Sequence, residues 1–289
     1  VDGAGVRLKR IFGSQSTSAI TDPFLLLDHF GSNRIEEYIS GFPWHPHRGI
    51  ETVTYLLEGK VVHEDSEGHR GTIYPNDIQW MTAGSGIFHE EMPQPLDQRN
   101  MEELLKITGM PTSVTGMQLW INIQARNKMT IPTYRGFRGF SIPVIENGEG
   151  PTVKIVSGNY MKVDGILENH PLKPVYLDVR TAPDSTFTFD VEQGFNSMIY
   201  VLSGSVRIGG ISSETLIAGD LGVFSRDKER IVVSTSYDGA RFLLLAGKPL
   251  NEPVAWYGPI VMNSQEQIDQ ALQDLRYNRF VRDKEPNFL

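Results

Sequence analysis

The chain has 289 residues, 39% of them hydrophobic and 21% charged, with a formal net charge of −8 and no cysteine. That length suits roughly two domains of about 150 residues, the apolar content excludes wholesale disorder, and the lack of cysteine excludes disulfides, thiolate metal sites and cysteine nucleophiles. The acidic balance offers no footprint for nucleic acid, and neither a membrane span of roughly 18 apolar residues nor a secretory signal is evident, so the expected location is the cytoplasm, or the nucleus in a eukaryote.

In chain order, Gly (28) and Pro (17) punctuate short β-type runs over most of the length, the pattern of an all-β protein rather than a βαβ fold. Val53 to Leu57 and Lys60 to His63 flank Glu58-Gly59 as a hairpin. Ser66-Glu67-Gly68 makes the next turn, and Pro75-Asn76-Asp77 another before Ile78 to Met81. The polar stretch Gln94 to Ser113 carries a candidate helix at Met101 to Lys106 and is expected to be either a lid or a solvated insertion. Tyr55-Leu56-Leu57-Glu58-Gly59-Lys60-Val61 returns 145 residues later as Tyr200-Val201-Leu202-Ser203-Gly204-Ser205-Val206, and the turn before Asp77-Ile78 returns at Gly219-Asp220-Leu221, 143 residues on. Two matches in the same order predict a duplicated β-domain, with domains at 1–135 and 136–289. Near the C-terminus Asn263 can cap a helix with Glu266 three residues on, and Ile268, Ala271, Leu272 and Leu275 follow helical spacing. That helix is expected to end the second domain as a packing element.

The chemistry concentrates in two short segments. His45-Pro46-His47 points both imidazoles to one face of a strand, and His89 and Glu91 repeat the spacing after Gly84-Ser85-Gly86. If no bulge intervenes, Glu51, Val53, Tyr55 and Leu57 share the parity of the first pair, and two histidines on such an interior face need a metal or hydrogen-bond partners. HxH and HxE on two β runs, in a chain with only five histidines outside the first pair, form a candidate metal site from His45, His47, His89 and either Glu91 or Glu51. His63 and His69, among acidic residues near a turn, read as solvated. His29 reads as structural, near the pocket mouth. His170 reads as part of a turn.

Three long segments then resemble the pirin family. They are Asp22-Pro23-Phe24 through Asp28-His29-Phe30, Gly41 through Tyr55 with its His45-Pro46-His47-Arg48-Gly49 core, and Gln79 through Pro93 with Gly84-Ser85-Gly86 followed by His89 and Glu91. Gln118-Leu119-Trp120-Ile121-Asn122 and Phe242 through Leu250 with Tyr257-Gly258-Pro259 extend the likeness over nearly the whole chain. The resemblance implies two tandem cupin barrels, that is double-stranded β-helix or jelly-roll domains. It also implies one iron in the first barrel, held by His45, His47, His89 and Glu91. Glu51 is then left to orient a ligand imidazole or share in proton transfer with Glu91. Two activities are implied: a quercetin 2,3-dioxygenase, and a metal-dependent co-regulator that works through a protein partner. Trp44 before the first histidine and the length of Gln94 to Ser113 depart from the family pattern near the expected pocket.

Three imidazoles and one carboxylate leave two positions of an octahedral ion open, which suits Fe(II), with Ni, Co, Mn, Cu or Zn as alternatives. The expected partners are a small aromatic, flavonol-like substrate and O2, with Glu91 or Glu51 as general base. Carrying the repeat offsets into the second half sets Asp190 and Glu192 opposite His45 and His47, and Val232 and Ser234 opposite His89 and Glu91. The second barrel is therefore expected to hold no metal.

Overall fold

The computed structural model describes residues 1–96, 112–146, 148, 150–167, 170–209, 214–227 and 229–281. The candidate lid helix Met101 to Lys106 lies outside them. The chain divides into two compact units. Unit 1 comprises Val1–Ala19, Phe24–Gly139 and Asn251–Leu289; unit 2 comprises Ile20–Pro23 and Phe140–Leu250.

Unit 1 contains β1 (Leu8–Phe12), β2 (Phe24–Ser32), β3 (Phe42–His47), β4 (Ile50–Glu58), β5 (Lys60–Asp65), β6 (Arg70–Ile73), β7 (Ile78–Thr82), β8 (Ile87–Gln94), β9 (Val114–Asn122) and β10 (Thr133–Phe137). They form two sheets, ordered β1-β2-β9-β4-β7-β10 and β3-β8-β5-β6, with antiparallel pairing throughout. This is a cupin barrel, and its polar site occupies the space between the sheets. A separate apolar cluster of Phe30, Ile35, Tyr38, Leu56, Val61 and Val114 closes one part of the interior.

Unit 2 is the second cupin barrel. Its sheet runs Val144–Glu146, Thr152–Ser157, Val175–Thr181, Arg230–Gly247, Asn196–Ile208 and Glu214–Ile217, while Thr186–Asp190 and Leu221–Phe224 pair off this path. Register shifts near Ser203 and Val206 in the long strand Asn196–Ile208 bend it, as bulges do at barrel corners. The duplication read from the sequence is visible in the hydrogen bonds. Asn76 N–H donates to Leu56 O and Leu56 N–H to Asp77 O; Gly219 N–H donates to Val201 O and Val201 N–H to Asp220 O. Asp77 accepts from Tyr74 N–H as Asp220 does from Ile217 N–H. Asn76 (φ 71°) and Gly219 (φ 93°) occupy the same left-handed corner, which Asn and Gly tolerate best.

The C-terminal segment belongs to unit 1, not to the second domain as the sequence suggested. The terminal helix Gln265–Arg276 buries Ile268 and Ala271 with Ile260, Met262 and Phe280, and Phe88 of β8 packs on the same cluster. The reason is an ion pair inserted at full burial. Arg48, 1% exposed, donates to Asp274 of the helix at 2.8 Å, to Ser85 O and to Phe280 O. The helix cap also differs by one residue. Ser264, not Asn263, is the N-cap and accepts from Gln267 N–H, while the Gln267 side chain accepts from Asn263 N–H, one residue before the cap. Among the described residues, no helix is long and apolar enough to cross a membrane.

Candidate metal centre

β3 and β8 are antiparallel neighbours, and His45 sits directly opposite His89 in their register. Alternation along β3 then returns His47 to the face of His45. As a result the three imidazoles converge, each offering a nitrogen within 4.8 Å of the others. Among the described residues this is the one group of three or more potential ligands so arranged. His47 and His89 are each 2% exposed.

The hydrogen-bond pattern decides how the rings are protonated. His45 Nδ1 lies 2.8 Å from Pro43 O, and His47 Nδ1 lies 3.2 Å from Pro259 O. A carbonyl only accepts, so each Nδ1 carries the proton and each Nε2 presents a lone pair. Those two Nε2 atoms face each other at 3.1 Å. Neither nitrogen of His89 has a partner among the described residues. Burial drives the His47 and His89 pKa values well below the usual histidine range, and the neighbouring imidazoles push the same way. Neutral rings with opposed lone pairs repel, and buried unpaired nitrogens cost free energy. A cation between the three rings removes the repulsion and pairs one nitrogen of His89, so the residues fit a bound metal.

Glu91 stands two residues beyond His89 on the same face and lines the adjoining cavity. Its Oε1 accepts from Thr54 Oγ1 at 2.8 Å. Burial raises its pKa to about 7, with the Thr54 hydrogen bond pulling the other way. Glu51 is placed elsewhere. The turn at Gly49 (φ 78°) separates β3 from β4, so parity does not carry across it. Thr54, not the odd-numbered residues of β4, meets Glu91. The Glu51 carboxylate accepts from Trp80 Nε1 at 3.0 Å and Thr82 Oγ1 at 2.8 Å, and Glu51 does not line the cavity. The ring-orienting role expected of it falls to the carbonyls of Pro43 and Pro259.

The cavity beside the histidines has a volume of about 740 Å3. Trp44, Phe42, Trp120 and Trp256 supply apolar walls, and Trp120 also meets His47 edge-on at a ring separation of 5.1 Å. Of the two departures from the family pattern, Trp44 is thus a wall residue. His29 does not line the cavity; burial lowers its pKa. His63 is not solvated: it is 3% exposed, its Nε2 lies 2.9 Å from Tyr134 Oη, and its ring stacks on Tyr134. His69 stacks on the same tyrosine and pairs with Asp65 at 2.8 Å. His69 is exposed, as the sequence suggested, whereas Tyr134 orders the buried His63. Pro259, Thr54, Gln118, Trp120 and Trp256 were given no role at the site by the sequence reading, since none belongs to a ligand motif, whereas Trp44 was placed near the pocket. Alternation in Gln118-Leu119-Trp120 was the available signal, because it places the first and third on one face.

Residues 5–121 match the family model described as Pirin, and residues 176–281 match the Pirin C-terminal cupin domain. A Thermoplasma acidophilum protein provisionally named quercetin 2,3-dioxygenase is 43% identical over 264 residues, 89% of this chain and 98% of that protein. The chain belongs to the pirin family. Human pirin is 36% identical over 95% of this chain and 88% of its own length. The crystal structure of quercetin 2,3-dioxygenase from Acinetobacter baumannii superposes with a TM-score of 0.85 at 30% identity, covering 97% of this chain and 93% of that one.

Proposed function

We propose that this pirin is a metal-dependent dioxygenase of the quercetin 2,3-dioxygenase type, with one metal ion held by His45, His47, His89 and Glu91. The observation that carries the metal is the convergence of two bare Nε2 atoms and an unpartnered His89 in a buried pocket. The reading is supported on the substrate side by the names of the relatives and by an aromatic-walled cavity opening on the ligands. Fe(II) is the ion favoured by three imidazoles and one carboxylate with room left for other ligands. When bound, such an ion polarises chelating oxygens and brings substrate and O2 together.

The chain's own residues do the rest. The carbonyls of Pro43 and Pro259 fix two imidazoles in the tautomer that leaves Nε2 free. Trp44, Trp120 and Trp256 offer flat apolar faces to a planar ring system. Glu91 is the cavity carboxylate placed to take the proton of a ring hydroxyl, and Thr54 holds it in place. The proposed role of the substrate is thus that of a hydroxyl-bearing aromatic whose acidity the site increases.

The test is to load the protein with Fe(II) under nitrogen, add quercetin, then admit air. Loss of the flavonol absorbance with matching O2 consumption is expected, and none in a His47→Ala protein. Persistent quercetin in the loaded native protein would sink the dioxygenase reading.

A further inference from the structure

One row of the six-stranded sheet crosses the cavity floor, and it is polar. Its strand register aligns Arg10 with Asp28, Asp28 with Gln118, and Gln118 with Thr54. The adjacent rows carry Leu26 opposite Trp120 and Phe30 opposite Gly116, so the stripe is bounded by apolar groups. Its two ends are internally satisfied. Arg10 holds Asp28 through two hydrogen bonds of 2.9 Å and also reaches Asp2. Thr54 meets Glu91 at 2.8 Å and Gln118 Oε1 at 2.6 Å.

Gln118 stands between these ends and is not satisfied. A threonine hydroxyl has one proton and contacts only one end of the amide. If Thr54 donates to Glu91, it must accept from the amide nitrogen of Gln118, whose O and N positions are interchangeable in shape; the amide oxygen then faces the cavity. If Thr54 donates to Gln118, Glu91 as the neutral acid donates to Thr54 and the NH2 of Gln118 faces the cavity. In either arrangement half of the amide is left for a ligand, about one strand spacing (~5 Å) from the Thr54–Glu91 contact.

We propose that Gln118 is a specificity-determining residue, whose free amide end hydrogen-bonds a ring hydroxyl other than the oxygens held at the metal. This rests on the reading of the site as one for hydroxylated planar aromatics. It selects polyhydroxylated rings over otherwise equal rings that carry only the chelating oxygens, because an unpaired amide in the occupied cavity is unfavourable.

The experiment compares quercetin with 3-hydroxyflavone, which lacks the additional hydroxyls, on metal-loaded protein under nitrogen. Quenching of the cavity tryptophans reads binding without turnover. The native protein is expected to bind quercetin at least about tenfold tighter, the effect of one hydrogen bond. Gln118→Met should lower quercetin affinity about tenfold while leaving 3-hydroxyflavone affinity and metal content unchanged. Gln118→Asn, the same amide withdrawn by one methylene, should lose the same preference and serves if the first variant does not fold. Equal loss for both ligands, an unaltered preference, or no binding of either ligand overturns the proposal. Turnover in air separates it from the function itself. Discrimination by Gln118 without O2 consumption removes the dioxygenase and keeps the residue, whereas turnover with an unchanged preference in the variants does the reverse.

Discussion

The two barrels share their corners and differ in what fills them. The left-handed residue, the aspartate cap and the reciprocal backbone bonds at Leu56/Asp77 recur at Val201/Asp220. Inside, unit 1 gathers three imidazoles, two of which, His45 and His47, line a cavity together with Glu91, while unit 2 carries a cluster of aliphatic and aromatic side chains, among them Phe187, Phe189, Ile231, Val233 and Phe242. Tyr160 stacks on Phe187, and Phe187 meets Phe242 edge-on. The same scaffold therefore supports either an apolar cluster or a convergence of imidazoles, and the choice lies in side chains that alternate along its strands.

Parity sets the positions that the repeat placed opposite His45 and His47 apart from the interior of the second barrel. In Thr186–Asp190 the phenylalanines are buried and Thr186, Thr188 and Asp190 are exposed. Asp190 pairs on the surface with Arg230, at 2.6 Å. The offset of 145 set Asp190 opposite His45, yet in the strand pairing it is Thr188, not Asp190, that faces Val232. The two offsets read from the sequence differed by two residues, and that difference is enough to misplace the pair. Exposure adds a second error, since Asp190 points away from the interior that His45 enters.

The contrast in packing predicts the largest effects. Phe187→Ala should cost about 3–5 kcal/mol, since it empties a fully apolar core. His89→Ala in the metal-free protein should cost no more than about 1–2 kcal/mol, because the lost packing is offset by removal of two unpaired buried nitrogens. Urea unfolding of both variants measures the difference, and equal losses would erase the distinction between the interiors. Asp274→Ala leaves Arg48 buried with its charge uncompensated, so a loss of about 3–5 kcal/mol is expected. A calorimetric scan of that variant should show a clear drop in Tm; an unchanged Tm would mean that the terminal helix is not what holds unit 1 beneath His47.

A smaller effect concerns pH. The Glu91 pKa of about 7 lies above the unfolded carboxylate value, so the folded metal-free protein binds the extra proton. Its contribution to stability is full below the unfolded pKa and is lost as pH rises toward about 7, by at most about 3 kcal/mol. Buried His47 and His89 titrate in the opposite sense, so the sign is read from the difference between native protein and Glu91→Gln. That difference should shrink the advantage of the native chain between about pH 5 and 8; a native advantage that grows with pH would reverse the assignment of the shift to burial. The smallest effect is local: Ser264→Ala removes the cap of the terminal helix and should cost about 1 kcal/mol, read from the same denaturant curves.

Much of this was legible in the residues. His45-Pro46-His47 and His89 with Glu91 are local patterns, and strand alternation alone brings each pair to one face. The Asn76 and Gly219 corners were visible because turn chemistry is short-range. What was not legible depends on distant contacts. The terminal helix joins unit 1 through Arg48 and Asp274, 226 residues apart, and no spacing rule relates them. Glu51 was misassigned because Gly49 interrupts the strand and resets parity. His63 was misread because its partner Tyr134 comes from β10, well beyond the acidic neighbours in its own segment.

The central claim is that one barrel of the two carries the metal, and elemental analysis of purified protein tests it most directly. We predict close to one transition-metal ion per chain in the native protein and in Asp190→Ala, and a small fraction of that in His47→Ala at undiminished secondary structure. Close to two ions per chain, or a full complement retained by His47→Ala, would contradict it.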